Sequence, residues 1–224
     1  MGYTAVIFDL DGTLLDTLED IADAANRVLA ELGFPTHAAA SYRDLIGEGL
    51  SPLYQRALPR DAIDRDLIGR CAVEHRAIYQ ENWNSKTRPY DGIMNLLAEL
   101  TDLGIKMAVL SNKPDHFTQL CINEFFSPGS FEVVLGMREH VEPKPDSAGA
   151  LEIADRLETP PRNFVFLGDT KVDMQTAGNA NMLAVGALWG FRSRDELQQH
   201  GAKLLIEHPH ELIDVFRSDA AYPV

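Results

Sequence analysis

The chain has 224 residues, and its 34 acidic side chains against 20 basic ones leave a formal net charge of −14. A field of that sign disfavours nucleic acid and anionic membrane surfaces as partners, and it repels anionic substrates unless a metal ion and a few local Lys or Arg draw them in. With 45% hydrophobic residues, no apolar run near the ~18 residues of a membrane span and no basic-then-apolar leader, the expectation is a folded cytoplasmic protein.

The chain opens with Val-Ile-Phe-Asp-Leu-Asp-Gly-Thr-Leu, residues 6–14. Thr4 to Phe8 fit a buried strand, and residues two apart on a strand point to the same side, so Asp9 and Asp11 are expected to share one small space. Two anions that close persist only where a cation, a proton or a charged substrate offsets them. An EF-hand loop does not fit, because Gly12 falls two positions early and the acids follow a strand.

Apolar residues at Leu18, Ile21, Ala22, Ala25, Val28, Leu29 and Leu32 have helical spacing, stopped by Gly33 and Pro35. From Ser41 to about Asn82 the texture stays helical, with breaks at Gly47-Glu48-Gly49, at Pro59 and, more weakly, near Gly69. From Pro89 onward it alternates. Helices are expected over 92–103, 114–126, 146–157 and 171–180, and strands over 105–110, 131–135, 163–167 and 183–188, with a short strand at 203–206 and a last helical turn at 211–216. Alternation of this kind implies a parallel sheet covered on both faces. The predicted fold is therefore α/β: a doubly wound, Rossmann-like parallel sheet built from residues 1–16 and 85–224, with an all-helical cap inserted at 17–84. Cys71 and Cys121 lie in helical stretches without C-x-x-C spacing, which suits buried thiols.

Ligands of such sheets bind outside the carboxyl ends of the strands. Four predicted strand ends carry polar groups: Asp9 and Asp11; Ser111, Asn112 and Lys113; Lys144 in Glu-Pro-Lys-Pro; and Gly168-Asp169-Thr170, with Asp173 four residues beyond Asp169. Each has a plain alternative, such as a D-G turn, a helix cap, a loop lysine or acids in a first helical turn. Together they form one charge set complementary to a metal-bound phosphate. All-oxygen ligands without a His or Cys cluster suit Mg²⁺. Phosphate monoester hydrolysis needs up to ~10²¹-fold acceleration, and one general acid supplies only ~10²–10⁴. A carboxylate nucleophile divides the displacement into two steps, while Mg²⁺ and lysines neutralise the transferring group.

In its four ordered motifs, FDLDGTL (8–14), LSNK (110–113), EPKP (142–145) and GDTKVD (168–173), the chain resembles the haloacid dehalogenase superfamily, in the branch with a helical cap after the first strand. The resemblance implies Asp9 as nucleophile and metal ligand, and Asp11 as acid/base with its main-chain carbonyl on the metal. It implies Ser111, Asn112 and Lys144 on the phosphoryl group, and Asp169 and Asp173 on Mg²⁺. Asp11 is absent from the superfamily's dehalogenases, which favours a phosphatase. The cap stretch Tyr42-Arg43-Asp44-Leu45-Ile46-Gly47-Glu48-Gly49-Leu50 looks like phosphoglycolate phosphatases, with Arg43, Gly47, Glu48 and Lys113 recognising the leaving group. Ser147 stands where the third motif often has a further proline. The expected partner is thus a small phosphorylated metabolite, with 2-phosphoglycolate first, although Glu48 sits awkwardly beside a dianionic substrate. A sugar-phosphate mutase of the β-phosphoglucomutase type and a non-catalytic phosphoryl-binding module are the alternatives.

Overall fold

The computed structural model describes residues 2–218. The chain divides into two compact units, one formed by the chain up to Leu15 and from Pro89 onward, the other by Asp16–Arg88.

The first unit is built on six parallel strands: β1 (Ala5–Phe8), β4 (Lys106–Pro114), β5 (Val133–Met137), β6 (Phe164–Gly168), β7 (Leu183–Ala187) and β8 (Leu204–Ile206), in the spatial order β5-β4-β1-β6-β7-β8. Ala5 to Phe8 are wholly buried, and β6 and β7 are buried along their full length, as strands covered on both faces must be. The pairings are in simple register, Ala5 to Phe8 facing Lys106 to Val109 on one side and Phe164 to Leu167 on the other. The covering helices are α4 (Ile93–Asp102), α5 (Asp115–Phe125), α6 (Ala148–Arg156), α7 (Lys171–Asn179), α8 (Arg194–Gln199) and α9 (Leu212–Arg217). One core cluster joins Ala5 and Ile7 of β1 to Phe164 and Phe166 of β6, Ala150 and Ile153 of α6 and Met174 and Ala177 of α7. Strand order runs outward from β1 in both directions, through β4 to β5 and through β6 to β8. The reversal therefore falls at β1, and the crevice beyond its carboxyl end is where a doubly wound sheet places its ligand.

The second unit is helical: α1 (Leu18–Glu31), a 3₁₀ segment at Ala39–Asp44, α2 (Leu50–Ala57), a 3₁₀ turn at Arg60–Ala62 and α3 (Arg65–Asn82). The break expected near Gly69 is absent. Asp64 caps α3 by accepting from the N–H groups of Asp66 and Leu67, and packing carries the helix through Gly69, whose cost against alanine is only ~1 kcal/mol. Several buried polar groups inside the unit pair with one another. Asn26 accepts from the Tyr42 hydroxyl at 2.8 Å and exchanges two bonds with the His37 backbone, and the Tyr54 hydroxyl lies 2.9 Å from His75 Nδ1. The buried carboxylate of Asp20 accepts from the N–H groups of Lys86 and Thr87 and from the Thr87 hydroxyl, so the end of the unit is tied to its first helix. The chain crosses between the units at β2 (Leu15–Asp16) and β3 (Arg88–Pro89), which pair as a two-stranded sheet.

Sequence expectation missed α8, which is only six residues long and starts from the Ser193 cap, as well as the two-residue strands. Among the described residues no helix is long and apolar enough to cross a membrane.

Candidate active site

The site is assembled from the carboxyl ends of β1, β4 and β6 and the loop after β5. Asp9 follows directly on β1, and its N–H donates to Leu167 O of β6 at 2.9 Å. Its carboxylate meets the ammonium of Lys144 at 2.7 Å, and Asp173 Oδ1 accepts from the same ammonium at 2.7 Å. Asp169 is fully buried, and oxygen atoms of Asp9, Asp169 and Asp173 all lie within 4.8 Å of one another. Lys144 reaches this point from a loop whose backbone is held by Asn112. The Asn112 side chain accepts from Lys144 N–H at 2.9 Å and donates to Lys144 O at 3.0 Å. Sequence placed Asn112 on the phosphoryl group, whereas the side chain's contacts here orient the lysine loop.

Asp11 is separate from that cluster. Lys113 Nζ donates to both of its oxygens, at 2.9 and 3.2 Å, and the lysine side chain is 4% exposed. The crowding expected between Asp9 and Asp11 is relieved because each carboxylate takes its own lysine. Ser111 is buried, and its hydroxyl accepts from Lys113 N–H at 3.2 Å. Asp173 engages two partners at once. Its Oδ2 accepts from the N–H and hydroxyl of Thr170, capping α7, while Oδ1 faces Lys144. Gly168 is required here, since a Cβ would collide with the Asp173 side chain.

Electrostatics follow from burial. Desolvation lifts the Asp9 carboxyl well above the usual range, against the pull of Lys144 and with the help of Asp173 and Asp169. Asp169 is pushed up to about 7, first by burial and then by Asp173, although Phe191 N–H, the Thr13 hydroxyl and Arg192 draw it down. Burial pulls Lys144 down, yet Asp173 and Asp9 outweigh it and hold the ammonium above its ordinary range. Three buried carboxyl groups stand together here, with one buried ammonium bonded to two of them. This all-oxygen donor set fits a hard divalent cation such as Mg²⁺.

Several contributors were not read from sequence. Thr13 donates its hydroxyl to Asp169 Oδ1 at 2.8 Å, Phe191 N–H donates to Asp169 Oδ2 at 2.8 Å, and Trp189 Nε1 donates to Thr13 O at 2.9 Å. Trp189 and Phe191 follow β7, a strand whose end carries no acid, lysine or hydroxyl and so offered no chemical signal.

In the helical unit, Glu48 Oε1 lies 2.6 Å from Arg56 Nη2. Arg43 is exposed, while Gly47 and Gly49 both have positive φ, 111° and 91°, which explains glycine at both positions.

The family model of haloacid dehalogenase-like hydrolases matches residues 6–187. The chain belongs to this family. Among curated members it is 30% identical to the phosphoglycolate phosphatase of Psychrobacter arcticus, over 100% of this chain and 99% of that protein. It is 32% identical to that of Xylella fastidiosa, over 92% and 90% respectively. Among solved structures it superposes on a provisionally assigned phosphoglycolate phosphatase from Lactobacillus delbrueckii subsp. bulgaricus with a TM-score of 0.91 and 30% identity, covering 96% of this chain and 99% of that one. This haloacid dehalogenase-like hydrolase is thus phosphoglycolate phosphatase-like, and its α/β core is the family's.

Proposed function

We propose that the protein is a Mg²⁺-dependent phosphatase for a small phosphomonoester, with 2-phosphoglycolate the leading substrate, acting through an aspartyl-phosphate on Asp9. The observation that carries the reading is the single ammonium of Lys144 held 2.7 Å from both Asp9 and Asp173, inside a buried group of three carboxylates.

Asp9, Asp169 and Asp173 would hold the cation, with the main-chain carbonyl of Asp11, as the sequence motifs imply. When bound, Mg²⁺ neutralises charge on the transferring phosphoryl group and keeps the carboxylates ionised at neutral pH. An oxygen of Asp9 attacks phosphorus, and the bond to the ester oxygen breaks as that oxygen takes a proton from Asp11. Asp11 then accepts a proton from the water that attacks the Asp9 phosphoryl group. Lys144 and Ser111 hold phosphoryl oxygens during both transfers, and Asn112 contributes by fixing the Lys144 backbone. Lys113 keeps Asp11 in one orientation between the two proton transfers.

The leaving-group preference draws on the curated relatives and on the Tyr42 to Leu50 stretch. The charge of Glu48, awkward beside a dianionic substrate, is offset by Arg56. The test is phosphate release from a panel of small esters including 2-phosphoglycolate, with and without Mg²⁺. Preference for phosphoglycolate supports the whole reading, while activity on other esters alone keeps the chemistry and discards that substrate. Isomer formation without phosphate release would replace hydrolysis by mutase chemistry.

A further inference from the structure

We infer that Trp189, which lies outside the four motifs, is a positioning residue for the Asp169 carboxylate and acts on it through Thr13. The inference rests on the proposed role of Asp169 as a Mg²⁺ ligand.

A buried carboxylate can rotate about its Cβ–Cγ bond unless both oxygens are engaged. In Asp169 each oxygen is engaged by its own donor: Thr13 donates to Oδ1 and Phe191 N–H to Oδ2, both at 2.8 Å. One bond per oxygen leaves each oxygen acceptor capacity for a cation or for water on it. The two donors come from different loops, one after β1 and one after β7, so Asp169 stays fixed only if those loops are fixed to each other. Trp189 makes that link by donating from Nε1 to Thr13 O at 2.9 Å.

Steric packing encloses the same group. A Cβ on Gly190 would strike the Asp169 side chain, at 2.5 Å from Oδ2, and would stand 2.5 Å from Gly12 O. A Cβ on Gly12 would strike Asp169 Oδ2 and the Phe191 ring, the latter at 2.6 Å. Two glycines therefore admit the carboxylate between the loops, and Trp189 closes the loops on it. Groups that orient metal ligands from behind typically matter by 10–100-fold in metal affinity. Trp189 stands one residue further back, so a smaller effect, about 3–10-fold, is expected.

Trp189→Phe keeps an aromatic ring and removes the N–H donor. The dissociation constant for Mg²⁺ is measured without substrate by thermal-shift titration for the wild-type protein and for Trp189→Phe, Thr13→Val and Asp169→Asn. The expected order of weakening is Asp169→Asn, then Thr13→Val, then Trp189→Phe at about 3–10-fold, with kcat of Trp189→Phe at saturating Mg²⁺ within about twofold of wild type. A Trp189→Phe constant within twofold of wild type, while Asp169→Asn loses the metal, overturns the inference alone. Failure of the wild-type protein to bind Mg²⁺, or retention of full affinity by Asp169→Asn, overturns the metal assignment and the inference with it. Should Trp189→Phe not fold, Thr13→Val decides: unchanged Mg²⁺ affinity there breaks the chain of contacts at its middle link.

Discussion

Lys113 and Asp11 form a two-pronged pair, with one ammonium at 2.9 and 3.2 Å from the two carboxylate oxygens. The neighbouring acid, Asp9, is served by a different cation, Lys144, at 2.7 Å. The two aspartates differ in environment as their proposed tasks require: one is deep among other carboxylates, the other is partly open to water and oriented by a lysine.

Replacing Lys113 by Met leaves the partly buried Asp11 without this partner. The expected cost is about 2 kcal/mol of folding stability, the scale of a hydrogen bond to a charged group, together with a loss of at least tenfold in kcat because Asp11 is no longer held. Urea unfolding and steady-state phosphate release check both. Unchanged stability and rate would show that the pair is incidental.

Lys144→Gln removes the positive charge between Asp9 and Asp173. Breaking a buried pair typically costs ~3–5 kcal/mol, and loss of one transition-state donor costs ~10²–10³ in kcat. Lys144→Arg is expected to fail as well, because a planar guanidinium cannot place one nitrogen 2.7 Å from both acids in a space shaped for an ammonium. Full activity in the arginine variant would overturn this geometry.

Asp9→Asn should reduce turnover by more than ~10³-fold, since an amide is no nucleophile for phosphorus. It should not lower the melting temperature of the metal-free protein at pH 8. The wild-type carboxyl is lifted well above its ordinary range by burial, so its ionised form opposes folding at that pH and the neutral amide does not. Retained turnover in a pure preparation would exclude the aspartyl-phosphate route.

The pH dependence has a definite sign. Asp169 ionises at about 7 in the fold against an ordinary value of 3.8. Where the folded value is the higher one, the unfolded chain gives up its proton first. The metal-free protein therefore loses stability as pH rises from about 4 to 7, by at most roughly 4 kcal/mol from this group. Added Mg²⁺, which favours the ionised form, should stabilise the protein more at pH 8 than at pH 5. Thermal unfolding with and without Mg²⁺ at the two pH values tests this, and equal protection at both would contradict it.

Much of the core was legible because its signals are local. Buried parallel strands are short continuous apolar runs, and Asp9 and Asp169 at their ends, with Lys144 and Asp173 in the segments that follow, are charged residues that need explanation. What was not legible depends on tertiary approach. Nothing in the sequence says that Lys113 turns to Asp11 or that both ends of the Asn112 amide meet the Lys144 backbone. Trp189 and Phe191 look like ordinary apolar residues after a strand, and one of them contributes only its main-chain N–H. Gly69 misled in the other direction, because a glycine that would weaken an isolated helix is tolerated within the 18 residues of α3.

The helical unit begins and ends at one spot, where β2 pairs with β3 and Asp20 grips the backbone of Lys86 and Thr87. A segment whose two ends are fastened together behaves as a cassette. Its interior can lengthen, shorten or be exchanged in evolution without shifting the register of any strand in the sheet, because the fastening absorbs the change. The α/β core can therefore keep Asp9, Lys144, Asp169 and Asp173 in place while the inserted helices diversify independently, and deletion of the whole insert with a short turn joining β2 to β3 is the corresponding minimal form of the chain.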